Sequence, residues 1–357
     1  MAKTTATRDG ETLTPAAPLG RAGVGAQVGL VIQEMRPKEW TKNLLLFAGV
    51  IFAGHALQVA SVGRAVLAVL AYCAASGAVY LFNDLMDIRR DRIHPTKRYR
   101  PLASGALGKR AAIIGLVVAV IIALGCGLAL RWVPLGGTAL ALAIHVWPPA
   151  LGLHAAPHAV PTSDPYTPWG GSVMLFIISL VAYWALQVGY TLKMKHVVLL
   201  DVFAIAAGFV LRTLAGAVAV AVPISPWLYL CTVLLSLFLA LGKRRQEALM
   251  LAEGAALHRA SLSEYSLPLL DQLITIVTSG TIMAYSLYTF QSETAGDRRL
   301  MVTIPFVIYG IFRYLYLMQV RREGGNPAEV LLRDRHMQVA IIGWVAVVSF
   351  VLYVVPR

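Results

Sequence analysis

Apolar runs of about twenty residues recur along this chain, separated by short polar stretches. That pattern predicts an all-α bundle of membrane-crossing helices. Nine runs, at about 43–60, 64–83, 111–130, 171–191, 198–221, 226–241, 268–290, 300–318 and 338–355, lie near the roughly 17–25 residues a bilayer requires. Residues 1–30 are rich in Ala, Thr, Gly and Pro, show no periodicity, and read as a disordered cytoplasmic tail. No positively charged start precedes an apolar core, so this stretch is not a signal peptide. Residues 31–357 then form a single transmembrane domain. Segment 134–153 is apolar enough to suggest a further crossing, but Pro148-Pro149 argues against a straight helix. We read 131–170 as a long extracytoplasmic loop with an interfacial or re-entrant piece.

The distribution of charge supports this topology. With the N-terminus in the cytoplasm and the spans alternating, 24 of the 31 Lys and Arg residues fall on the cytoplasmic side. A crossing at 134–153 would turn Lys243-Arg244-Arg245 outward and break the bias. The chain is 58% hydrophobic and 14% charged, which excludes a soluble globular protein of this length. The net charge of +13 reflects cytoplasmic loops, with no nucleic-acid-binding motif beside it. Cys73, Cys126 and Cys231 lie singly in apolar segments and read as packing residues. His145, His154, His158 and Asp164 fall in the outward loop, where solvated side chains are expected rather than a metal site.

The chemistry concentrates at 79–105, where an apolar helix empties into a polar segment. At 100° per residue, Asn83, Asp84, Asp87 and Asp91 share one arc of helix surface. Three carboxylates on one face repel one another. A hard divalent cation removes that penalty, and Mg²⁺ commonly takes one or two carboxylates plus water and substrate phosphate. Pro95 stops the helix, and Lys97, Arg98 and Arg100 follow with charges suited to phosphate. Before the first span, Lys38 and Lys42 lie one turn apart beside Trp40, an interfacial residue. After the fourth span come Tyr190 and Lys195-His196. Asp201 and Arg212 lie on one stripe of the next helix, about 16 Å apart along its axis. An arginine that deep faces a bundle interior or an aqueous cavity. The loop after the sixth span carries Lys243, Arg244 and Glu247.

The run Asn83-Asp84-x-x-Asp87-x-x-x-Asp91-Arg-x-His-Pro-Thr-Lys-Arg-x-Arg-Pro resembles the first aspartate motif of the UbiA superfamily of intramembrane prenyltransferases. It is most similar to the decaprenyl-phosphate phosphoribosyltransferase branch. Arg36-Pro37-x-x-Trp40-x-Lys42-Asn43, Lys195-His196, Gly242-Lys243-Arg244 and Leu332-Arg333-Asp334-Arg335 extend the resemblance over roughly 34–340, most weakly at 131–170. Members that use a prenyl diphosphate usually carry a second Asp-x-x-x-Asp set after the sixth span. Here a cationic cluster with Glu247 replaces it, which suits an anionic lipid acceptor.

The resemblance implies a UbiA-like bundle in a bacterial plasma membrane, with a central cavity open to the cytoplasm. It implies transfer of 5-phosphoribose from phosphoribosyl diphosphate to a polyprenyl phosphate, giving a precursor of cell-wall arabinan. Mg²⁺ would be held by Asp84, Asp87 and Asp91, with Asn83 orienting a ligand. Lys42, Lys97, Arg98, Arg100, Tyr190, Lys195, Asp201, Arg212, Lys243, Arg244 and Glu247 would line the substrates. Membrane lipids surround the bundle, and a homo-oligomer stays open. Two other readings stay open: a UbiA-type aromatic prenyltransferase, and a non-enzymatic lipid or ion transporter, which inverted repeats would favour.

Overall fold

The structure is a computed structural model and describes residues 23–94, 97–135, 164–224, 226–252, 264–291, 298–322, 330 and 333–354. The histidines of the outward loop and most of the 1–30 segment lie outside these residues.

The described residues are helical and contain no strand. A short helix α1 (Val24–Glu34) precedes a 3₁₀ stretch, Pro37–Leu46, and α2 (Phe47–Phe52). Helix α3 (Val59–Ile93) leads to the short α4 (Pro101–Ser104) and α5 (Lys109–Ala129). Then follow α6 (Gly171–Leu192), α7 (Leu200–Ala219), α8 (Pro226–Ala252), α9 (Leu267–Gln291), α10 (Ile304–Gln319) and α11 (Arg335–Tyr353). Eight of the described helices are long and apolar enough to cross a membrane.

Three expectations are corrected. Residues 24–30, expected as tail, belong to α1, which continues to Glu34. Val31 packs against Gly115, and Gln27 bonds the Ala106 carbonyl and the Gly108 N–H. An eleven-residue helix with Gly25 and Gly29 gives a weak sequence signal, and docking stabilises it. The span at 43–60 is not one helix. A 3₁₀ stretch runs to Leu46, and only the six α residues of α2 follow it. This segment crosses α7 closely, because a Cβ at Gly216 would overlap the Leu46 carbonyl oxygen. Finally, α8 does not end at Gly242. Lys243–Glu247 lie on the helix, which continues through good helix formers to Ala252.

The two ends of the bundle differ sharply. At one end Arg64, 3% exposed, ties four elements together. It donates to Ala219 O (2.6 Å) at the end of α7, to Leu130 O (2.7 Å) and Val133 O (2.7 Å) after α5, and to Ser172 Oγ (3.1 Å) at the start of α6. The last carbonyls of two helices thus meet a cation, as their dipoles favour. Asp164 accepts from the backbone N–H of Tyr166 and Ser172 beside it and serves as a turn residue. The end of α5 and the start of α6 therefore lie at the same end of the bundle.

The opposite end carries the charges. Asn83 on α3 meets Thr191 on α6, and Asp201 on α7 meets Arg244 on α8. Arg245 on α8 meets Asp271 on α9 and the Met318 carbonyl of α10, and Arg313 of α10 pairs with Asp334, the N-cap of α11. At 35 residues α3 is roughly 52 Å long, so its acidic turns extend beyond a hydrocarbon layer.

Candidate active site

On α3, Asp84, Ile88 and Asp91 form a buried i, i+4, i+7 stripe. The helix ends at Ile93 with His94 extended, as a following proline favours. The chain then returns Arg100 against the stripe. Its Nη1 lies 3.0 Å from Asp84 Oδ1 and 2.7 Å from Asp91 Oδ2, bridging the two carboxylates. Lys97 Nζ stands 3.9 Å from Asp91. Asp87 points aside and is paired loosely with exposed Arg90 at 3.9 Å. Arg98 stacks on its neighbour Tyr99, away from the acids. Asn83 accepts from the Thr191 hydroxyl (2.7 Å), which ties it to the end of α6 near Tyr190 and Lys195.

Two residues that the sequence reading did not assign to the site join Asp84. Arg36 donates from Nη2 to both Asp84 oxygens, at 2.6 Å and 2.5 Å, and its guanidinium lies 4.6 Å over the ring of Tyr80. Glu34 is 2% exposed, and neither of its oxygens has a hydrogen-bond donor. Burial, reinforced by the adjacent Asp84 carboxyl, pushes its pKa up to about 8.

Facing this cluster from α7 and α8 is a second one. Asp201 is fully buried, accepts from the Tyr265 hydroxyl (2.7 Å), and lies 3.4 Å from Arg244 Nη1. Arg244, also fully buried, donates to Glu247 (2.8 Å), so its charge is already shared between two acids. Lys243, one residue earlier, is exposed, and its charge acts on both Glu247 and Glu39. Glu39 pairs with Lys42 on the 3₁₀ stretch. Burial raises the Glu39 carboxyl, but the Lys42 hydrogen bond and the charges of Lys42, Lys243 and Arg36 outweigh it and leave it below its ordinary value. The field of Lys243 and Arg36 on one carboxyl brings the two clusters into one region.

Deeper in the bundle, Arg212 is 7% exposed. It donates to Asn43 Oδ1 (2.8 Å), Gly208 O (2.8 Å) and the Tyr183 hydroxyl (2.9 Å), and lies over the rings of Tyr183 and Phe209. Asn43 in turn donates to Cys73 and Ser76 of α3. Among the described residues no carboxylate pairs with Arg212.

Among the described residues no three acids, histidines or cysteines already converge as a metal site. The donor set nonetheless fits a hard divalent cation. All its groups are carboxylates, Arg100 marks a point between Asp84 and Asp91 where a positive charge rests, and the Glu34 oxygens are without donors. The sequence signals for the two unassigned residues were weak. Glu34 sits in a short helix, and Arg36 precedes a proline in a motif rich in other cations.

A family model described as the UbiA prenyltransferase family matches residues 44–161. The chain is 32% identical over 332 residues to the decaprenyl-phosphate phosphoribosyltransferase of Corynebacterium glutamicum, covering 91% of this chain and 87% of that one. It is 28% identical over 342 residues to the protein of the same name from Mycolicibacterium smegmatis, covering 90% of this chain and 92% of that one. Its fold is like that of a UbiA homologue from Archaeoglobus fulgidus solved with GPP and Mg²⁺, at a TM-score of 0.61 and 16% identity, covering 90% of this chain and 99% of that chain. The chain belongs to the UbiA prenyltransferase family, in its phosphoribosyltransferase branch.

Proposed function

We propose that this integral membrane protein transfers 5-phosphoribose from phosphoribosyl diphosphate to a polyprenyl phosphate, with Mg²⁺ as cofactor and the charged end of the bundle in the cytoplasm. The observation that carries the reading is the likeness over nine-tenths of the chain to enzymes named for phosphoribosyl transfer to decaprenyl phosphate. The acid–arginine cluster on α3 supplies the chemistry. Orientation rests on the concentration of Lys and Arg at that end, and the arabinan role rests on the motif resemblance alone.

Asp84 and Asp91, with Asp87 turned inward, would hold the divalent cation, which when bound neutralises charge on the departing diphosphate. Lys97 and Arg100 bind donor phosphates beside it. Asn83, fixed by Thr191, orients a ribose hydroxyl. Lys42 and Lys243 attract the acceptor phosphate, while Arg244 and Asp201 brace α7 against α8 beneath them. Tyr190 and Lys195 flank the entry, with Glu247 setting the local charge. Arg212 provides positive potential below the site, where the lipid phosphate approaches. The bond from anomeric carbon to diphosphate oxygen breaks, and one from that carbon to the lipid phosphate oxygen forms. That phosphate is already ionised near neutral pH, so no strong base is needed.

The test is radiolabel transfer in membranes. Phosphoribosyl diphosphate and polyprenyl phosphate should yield labelled lipid with Mg²⁺ and little without it. Asp84→Asn should lower the rate on the order of 10²-fold or more. Undiminished transfer by Asp84→Asn at limiting Mg²⁺ would remove the metal assignment.

A further inference from the structure

Arg36 is held unusually. Its backbone sits at φ +54°, a left-handed conformation that a non-glycine residue keeps only where its surroundings impose it. Pro37 follows at the first position of the 3₁₀ stretch, and the Tyr80 ring lies 4.6 Å beneath the guanidinium. Only Nη2 is engaged, on Asp84. Among the described residues Nε and Nη1 make no hydrogen bond, although an arginine has five N–H donors. The side chain is 29% exposed while that of Asp84 is 5% exposed, so solvent and ligands can reach Arg36. A guanidinium with an open fork matches the two-oxygen edge of a phosphate.

Resting on the proposed reaction, we propose that Arg36 is the resident counter-cation of Asp84 in the metal-free protein and a phosphate ligand in the loaded one. A divalent cation and Arg36 compete for the same two Asp84 oxygens. Once the cation holds them, the guanidinium, still stacked on Tyr80, presents its fork to a donor phosphate. An acid stripe buried without counter-charge would be costly; Arg100 bridges Asp84 and Asp91, and Arg36 adds a second cation on Asp84 until the metal arrives.

This makes a prediction that a merely structural ion pair does not. Removing Arg36 should tighten metal binding and weaken donor binding. The experiment is Mn²⁺ titration of the purified full-length protein, without substrate, followed by electron paramagnetic resonance. Phosphoribosyl diphosphate is then titrated calorimetrically at saturating Mg²⁺. Arg36→Gln should lower the Mn²⁺ Kd by on the order of tenfold and raise the donor Kd at least as much. Arg36→Lys keeps the charge without the fork, so its Mn²⁺ Kd should stay near that of the native protein while its donor Kd rises. It also serves if the Gln variant fails to fold. A Mn²⁺ Kd that rises or stays level in Arg36→Gln, or a donor Kd unmoved in either variant, overturns the inference. Asp84→Asn separates this from the reading beneath it. If that variant binds Mn²⁺ as the native protein does, the metal site itself is misassigned and both fall.

Discussion

Lys243 and Arg244 are neighbours in sequence with the same charge, yet they should respond to substitution in opposite ways. Arg244 is fully buried between Asp201, itself fully buried, and Glu247. Arg244→Gln leaves Asp201 with the hydroxyl of Tyr265 as a hydrogen-bond donor and removes the cation that offsets two acids. Breaking a buried ion pair by removing one partner costs about 3–5 kcal/mol. At roughly 2–4 °C per kcal/mol for a chain of this order of size, the melting temperature should fall by on the order of 10 °C. Lys243 is exposed, and Lys243→Gln should change stability by less than about 0.5 kcal/mol. Its effect should instead appear as a raised KM for polyprenyl phosphate, about tenfold for one lost charge-assisted contact of roughly 1.5–3 kcal/mol. The assay is thermal melting of both variants in detergent, paired with saturation curves for each substrate. Equal melting temperatures in the two variants would refute the assignment of Arg244 as a buried brace. An unchanged acceptor curve in Lys243→Gln would refute the role of the exposed lysine.

Other outcomes follow from the same geometry. The Glu34 pKa is raised from 4.5 to about 8 in the folded protein, so its favourable contribution is full below about pH 4.5 and is lost as pH rises toward 8. Metal-free protein should therefore lose stability across that window by up to about 1 kcal/mol per pH unit, and Glu34→Gln should flatten the slope. Melting curves in chelator from pH 5 to 8 measure it, and an identical slope in the variant would contradict it. Arg64→Met should uncouple the ends of α5, α6 and α7 and lower the melting temperature while leaving substrate KM values unchanged. A KM shift without destabilisation would speak against a structural role. A cysteine at Arg131 should react with an impermeant thiol reagent in intact cells and one at Lys193 should not; labelling of both would mean that the segment between α5 and α6 crosses the membrane.

The acid motif was readable from the sequence because its spacing is local. Asp84 and Asp91 share a face of α3 by helix geometry alone, and the structure keeps them on one buried stripe. What closes on them was not readable. Arg36 lies 48 positions from Asp84, and only the turn at Pro37 and the docking of α1 bring it there. Asp87 shares the predicted arc but points aside, because periodicity sets an angle and not which neighbour covers it. Lys243 and Arg244 look alike as a loop; once α8 continues through them, 100° of rotation sends one to solvent and the other into the core. The segment 43–60 reads as an ordinary span because its composition is apolar. Its 3₁₀ rise is a backbone property that hydropathy does not report.

The central claim is the identity of the bond made. Purified protein should be incubated with Mg²⁺, phosphoribosyl diphosphate and decaprenyl phosphate, and in parallel with a polyprenyl diphosphate and an aromatic acceptor, with the lipid products resolved by mass spectrometry. The account predicts a lipid heavier than decaprenyl phosphate by one phosphoribosyl group in the first mixture, released diphosphate in equal amount, and no product in the second. A prenylated aromatic product, with no phosphoribosylated lipid, would contradict it.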